Sequence, residues 1–109
     1  MKKLNIIPLL LALLAITISK SFATDKYTEN MQKNIDSVYR AKTIPNLQQA
    51  VNALERIGDA EKTKWEPFYY ASFGCVMMAT REKVAATKDS YLDLALKANE
   101  KAKALQPNE

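Results

Sequence analysis

Glycine stands at only two positions of this chain, Gly58 and Gly74, and no other feature restricts its folding more. Sheets and their hairpins draw on glycine for turns and on β-branched residues for strands. This chain lacks clusters of the second as well, and is rich instead in Ala, Lys, Leu, Gln and Glu. Those are the residues that lose least on entering a helix, so the expected class is all-α.

The N-terminal stretch is set apart from this pattern. Lys2 and Lys3 are followed by an almost wholly apolar run from Leu4 to Ile18, and then by Ser21-Phe22-Ala23. A basic start, an apolar core of about fifteen residues and small residues at −3 and −1 describe a secretory signal peptide, cleaved between Ala23 and Thr24. The core contains Pro8 and is shorter than the roughly 20 residues a membrane span needs. The expected organisation is a signal peptide over 1–23 and one helical domain over 24–109, exported to the periplasm or secreted and leaving no membrane anchor after cleavage.

Cleavage alters the charge. Lys2, Lys3 and Lys20 leave with the leader, which has no acidic residue, so the formal net charge falls from +4 to +1. Cations then alternate with Asp and Glu along the chain, the pattern of solvated helix faces and not of a nucleic-acid surface.

Absent residue types narrow the chemistry. Without histidine, a Ser-His-Asp or Cys-His site cannot form, and the commonest metal ligand is missing. The two glycines make no phosphate-cradling loop. Asp25, Asp36, Asp59, Asp89 and Asp93 fall on polar faces or near helix ends, where caps and surface charges belong. No cofactor is expected, and the chain is not expected to be an enzyme; two carboxylates converging in one cleft would be needed to make it one. The single cysteine, Cys75, cannot bridge internally and reads as a small buried hydrophobe.

Apolar periodicity places four helices. The first, about Lys26 to Lys42, has the face Tyr27, Met31, Ile35 and Val38, widened by Tyr39. The second follows Pro45, with Asn46 and Gln49 spaced as a capping box, the stripe Leu47, Ala50, Val51, Leu54 and Ile57, and Gly58 as its C-terminal cap. The third starts at Thr63-Lys64-Trp65-Glu66, another capping-box spacing, and runs to about Lys83. Trp65, Phe68, Tyr69, Tyr70, Phe73, Val76, Met77 and Met78 make it apolar nearly all round, which predicts a central helix with neighbours on several sides. Val84 to Lys88 reads as a loop or a frayed continuation. The fourth helix begins at the Ser90/Asp93 cap, with the stripe Tyr91, Ala95, Ala98, Ala102 and Leu105, and stops at Pro107.

Trp65 opening a helix rich in Tyr and Ala, and the ending Ala95-Leu96-Lys97-Ala98 through Ala102 to Pro107, resemble the tetratricopeptide repeat. Together with the leader, Trp65-Glu66-Pro67-Phe68-Tyr69-Tyr70-Ala71 is similar to exported tetratricopeptide-like proteins of Bacteroidetes type. Tyr69, Ser72 and Asn99 depart from the repeat pattern, and Trp65 to Pro107 exceeds one unit by about a dozen residues, so the second pair has either a lengthened first helix or an enlarged turn. The resemblance implies two helical hairpins in tetratricopeptide-like stacking, a short member of its family, and a module that binds a protein or peptide.

The expected contact surface is Trp65, Tyr69 and Tyr70 with Lys62 and Lys64, because aromatic and cationic residues dominate binding surfaces. Repeat arrays normally close with a polar capping helix; here the final helix face lacks one, which implies either a truncated relative of a longer protein or a face that packs on a partner, most simply as a homo-oligomer. The alternative function is a carrier of an apolar small molecule, with a cavity lined by Phe68, Phe73, Met77, Met78 and Tyr91.

Overall fold

A computed structural model describes residues 26–106, so the expected leader, the Ala23–Thr24 cut and Pro107 lie outside the described residues. The chain divides into two compact units, Met1–Asn30 and Met31–Glu109. Of the first, residues 26–30 are described and are helical; the second holds the packed helices.

Among the described residues there are four helices and no strand: α1 over residues 26–40, α2 over Ile44–Glu61, α3 over Glu66–Arg81 and α4 over Ala85–Leu105. The connections 41–43, 62–65 and 82–84 are so short that successive helices turn back as hairpins. None of the described helices is long and apolar enough to cross a membrane.

The expected faces supply the core. Val38 from α1, Leu47, Val51 and Leu54 from α2, and Cys75 and Met78 from α3 are almost wholly buried. Each large aliphatic side chain so buried contributes roughly 1.5 to 3 kcal/mol. Helix α3 is central, as its all-round apolar surface predicts. It packs on α2 and on α4, and it meets α1 where Phe73 stacks on Tyr39 with ring centroids 5.4 Å apart.

Two small-residue positions permit this crowding. A Cβ on Gly74 would stand 2.6 Å from Val51 Cγ2 and 3.7 Å from Val38 Cγ2, so the backbone of α3 passes close to side chains of both α1 and α2. On the other side, α4 buries only alanines, Ala95, Ala98 and Ala102, which lets the two axes approach. Ser72 Oγ donates to Ala95 O at 2.8 Å and fixes their register. At the far end, the Arg81 guanidinium donates to the carbonyls of Ala41 and Lys42. A cation at the close of α3 thereby caps the C-terminal end of α1, where carbonyls lack partners and the helix dipole is negative.

Helix ends differ from the sequence expectation in every case where a cap was assigned. Asn46 does not cap α2. Thr43 does, its Oγ1 accepting from Asn46 N at 3.3 Å, while Pro45 occupies the first turn, where a missing N–H costs nothing. Gly58 does not end α2 either. The helix continues to Glu61, and Lys62 takes the left-handed conformation with φ 66°, its N–H bonded to Gly58 O. Gly58 instead lies against the tip of the Phe68 ring: a Cβ there would lie 2.6 Å from Phe68 Cζ.

Helix α3 starts at Glu66 after Trp65, without a side-chain cap, and ends at Arg81, short of Lys83. Val84 to Lys88 is not a loop. Helix α4 begins at Ala85, and Glu82 Oε1 accepts from the N–H groups of Lys83 and Val84 at the turn. Ser90 therefore lies inside α4 and donates to Ala86 O instead of capping. The turn of the second pair is not enlarged: α3 has 16 residues, α4 has 21, and only 82–84 join them.

Candidate functional site

The α2–α3 turn brings the five expected contact residues to one corner. Lys62 is there because the left-handed cap turns the chain out of α2, and Lys64 follows it; both are exposed. Trp65 lies at the threshold of α3, with Tyr69 one turn later. Their rings meet edge to face at 5.8 Å between centroids. Tyr69 in turn meets Tyr70 edge to face at 5.1 Å. Such geometry sets the positive edge of one ring against the negative face of the next, and holds each at little entropic cost.

These aromatics are not absorbed into the core. Tyr69 is 47% exposed, and Trp65 and Tyr70 are half-buried. Three rings braced by one another, with two lysines beside them, form an amphipathic surface fixed before any partner arrives.

A groove adjoins this corner, lined by Gly58, Asp59, Lys62, Phe68, Lys101, Ala104 and Leu105, with a volume of about 340 Å³. Its floor is apolar, and the Lys101 ammonium sits 5.4 Å from the centroid of the Phe68 ring, within cation–π range. Lys62 thus belongs to both the corner and the groove. Sequence reading assigns no role to Lys101, Leu105 or Asp59 at a site. The i, i+4 spacing of Lys101 and Leu105 is a signal that α4 turns one mixed face this way, but without Phe68 beneath them it has no meaning.

Of the five residues of the alternative carrier, Phe68 alone lines a described depression. Met78 is wholly buried, Phe73 stacks outward on Tyr39, and Phe68 floors the open groove. Neither described depression is lined by Phe73, Met77, Met78 or Tyr91; the other, of about 360 Å³, has a mixed lining and lies between α1 and α2 among Ser37, Arg40, Asn46 and Gln49.

Cys75 is buried at 1% exposure and unbridged. Burial, and secondarily the charge of Glu55, pushes its thiol up to about 11, so it is a packing group with almost no thiolate. Among the described residues no cluster of three or more Cys, Asp or Glu is placed to hold a metal ion.

Comparison with protein-family models, with curated proteins and with solved structures finds no match to this chain.

Proposed function

We propose that this chain is an exported, non-enzymatic helical-hairpin module, of tetratricopeptide-like stacking, that binds a protein or peptide at the α2–α3 corner. The observation that carries the proposal is the braced series Trp65, Tyr69 and Tyr70, left accessible beside Lys62 and Lys64. A helix with core-forming rings on most of its surface would be expected to bury these three as well, since burying each contributes several times the energy of the ring contact itself. Instead the corner keeps rigid aromatic area at the surface, the kind of anchor on which binding energy concentrates.

Several features support the reading. The apolar groove runs on from Lys62 and lengthens the surface a peptide could follow. The line of buried alanines on α4 agrees with the small positions of a repeat's second helix. Export rests on the leader pattern of residues 1–23.

Trp65 is the only tryptophan, so its emission reports on this corner alone. Panning a displayed peptide library against the purified protein should enrich sequences whose binding shifts that emission. Their affinity should fall roughly tenfold or more in a Tyr69→Ser variant. A library that yields no binders, or binders indifferent to both Tyr69→Ser and Lys62→Glu, would refute the proposal.

A further inference from the structure

The face of the α3–α4 hairpin turned away from α2 is apolar and open. Gly74 touches Val51 of α2, and Val76, on the other side of α3, is 39% exposed. On α4, Lys101 and Leu105 face the groove shared with α2, and Leu92 and Leu96, roughly opposite them around the helix, are 44% and 58% exposed. The bond from Ser72 to Ala95 sets Val76 at about the level of Leu92. Two leucines one turn apart, with a valine alongside, form a continuous strip.

The sequence of α4 specifies what fits there. Ala85, Asp89, Leu92, Leu96, Asn99 and Lys103 recur at spacings of four, three, four, three and four, the seam of two helices packed side by side. All of them reach the surface, with Asn99 half-buried. The seam is apolar in the middle, acidic toward its start and basic toward its end.

We infer that this face pairs two copies of the chain, α4 against α4 and antiparallel, about a two-fold axis at the level of Leu94. In that arrangement Leu92 meets the partner's Leu96. The partner's Lys103, opposite Ala85, reaches Asp89 one turn further on. Every contact occurs twice by symmetry, as an isologous interface requires. A parallel pairing would instead set Asp89 on Asp89 and Lys103 on Lys103 along the seam, and like charges across an interface exclude that arrangement.

Helix α4 is about 31 Å long, and two helices packed roughly 10 Å apart offer on the order of 600 Å² per copy, at the lower edge of what a stable dimer buries. The pairing uses none of Lys62, Lys64, Trp65, Tyr69 or Tyr70, and stands or falls independently of peptide binding at that corner.

Sedimentation equilibrium of the purified protein tests it, with circular dichroism melts as a check on folding. The wild type should self-associate, and Leu96→Lys, at an exposed position, should raise the dissociation constant roughly a hundredfold or more with an unchanged melt. Asp89→Lys and Lys103→Glu should each weaken association, and the double variant should recover it, while Tyr69→Ser leaves it intact. A wild type that stays monomeric at every soluble concentration would overturn the inference, as would a dimer that survives Leu96→Lys. Charge reversals that fail to compensate each other would overturn it too.

Discussion

Replacing Gly74 by alanine sets two opposing effects against each other. In the middle of α3, alanine is favoured over glycine by about 1 kcal/mol through helix propensity alone. The new methyl, however, would stand 2.6 Å from Val51 Cγ2, far inside the 3.5 to 4.0 Å of a relaxed carbon contact. Val51 cannot swing away, because a valine in a helix has essentially one rotamer and this one is buried in the core. Overpacking of this kind costs about 1 to 3 kcal/mol.

The net expectation is a loss of about 1 kcal/mol, the middle of that range less the propensity gain, equivalent to a fall in Tm on the order of 5 °C for a domain this small. Urea unfolding followed by far-UV circular dichroism measures it directly. A second variant isolates the cause: with Val51→Ala also present, the pair should be less destabilised than the sum of the singles by about 1 kcal/mol. Gly58→Ala is the contrast, since its clash is with the tip of the Phe68 ring, which borders the open groove and has space to tilt into. That variant should fall within about 1 kcal/mol of wild type. A Gly74→Ala protein more stable than wild type would show that propensity outweighs packing here, and the close three-helix junction would be refuted.

Two more outcomes are expected from the core and from the end of α3. The Cys75 thiol, at about 11 when folded against 9.0 unfolded, binds its proton more tightly in the native state. Its contribution is therefore complete below pH 9 and is lost as pH rises from 9 to 11, a decline of about 2 to 3 kcal/mol that a Cys75→Ala variant should lack when urea midpoints are compared across that range. Arg81→Lys keeps the charge but cannot span both the Ala41 and Lys42 carbonyls; it should cost about 1 kcal/mol, and amide exchange should quicken first in the last turn of α1.

The helices themselves are legible in the sequence because apolar spacing reports the buried face whatever the neighbours are. Leu47, Ala50, Val51 and Leu54 on α2, and Ala95, Ala98 and Ala102 on α4, are buried as that spacing predicts. Caps are less legible for a physical reason. The pairs Asn46/Gln49 and Ser90/Asp93 have the right spacing, but a cap forms only where the chain leaves the helix, and packing moves those points. Good helix formers at Ala85 and Ala86 carry α4 upstream of Ser90. Helix α2 continues past Gly58 to Glu61, and the left-handed position falls to Lys62, at roughly 1 kcal/mol of strain. At the candidate site, the aromatics can be named from the sequence, but not which of them stay outside; in a helix apolar all round, only the placement of α2 and α4 decides that.

Connections of three or four residues also govern how the chain reaches its native state. Helix pairs separated by so little chain find each other early, and a topology dominated by such neighbours belongs among the fast folders, on the microsecond-to-millisecond scale. One contact stands apart. Arg81 bonds to carbonyls 39 and 40 residues earlier, so closing α1 onto α3 bears more loop entropy than pairing neighbouring helices. That closure is the natural last step of folding, and its reversal the first opening, with α1 fraying from the domain while the α2–α3–α4 packing persists.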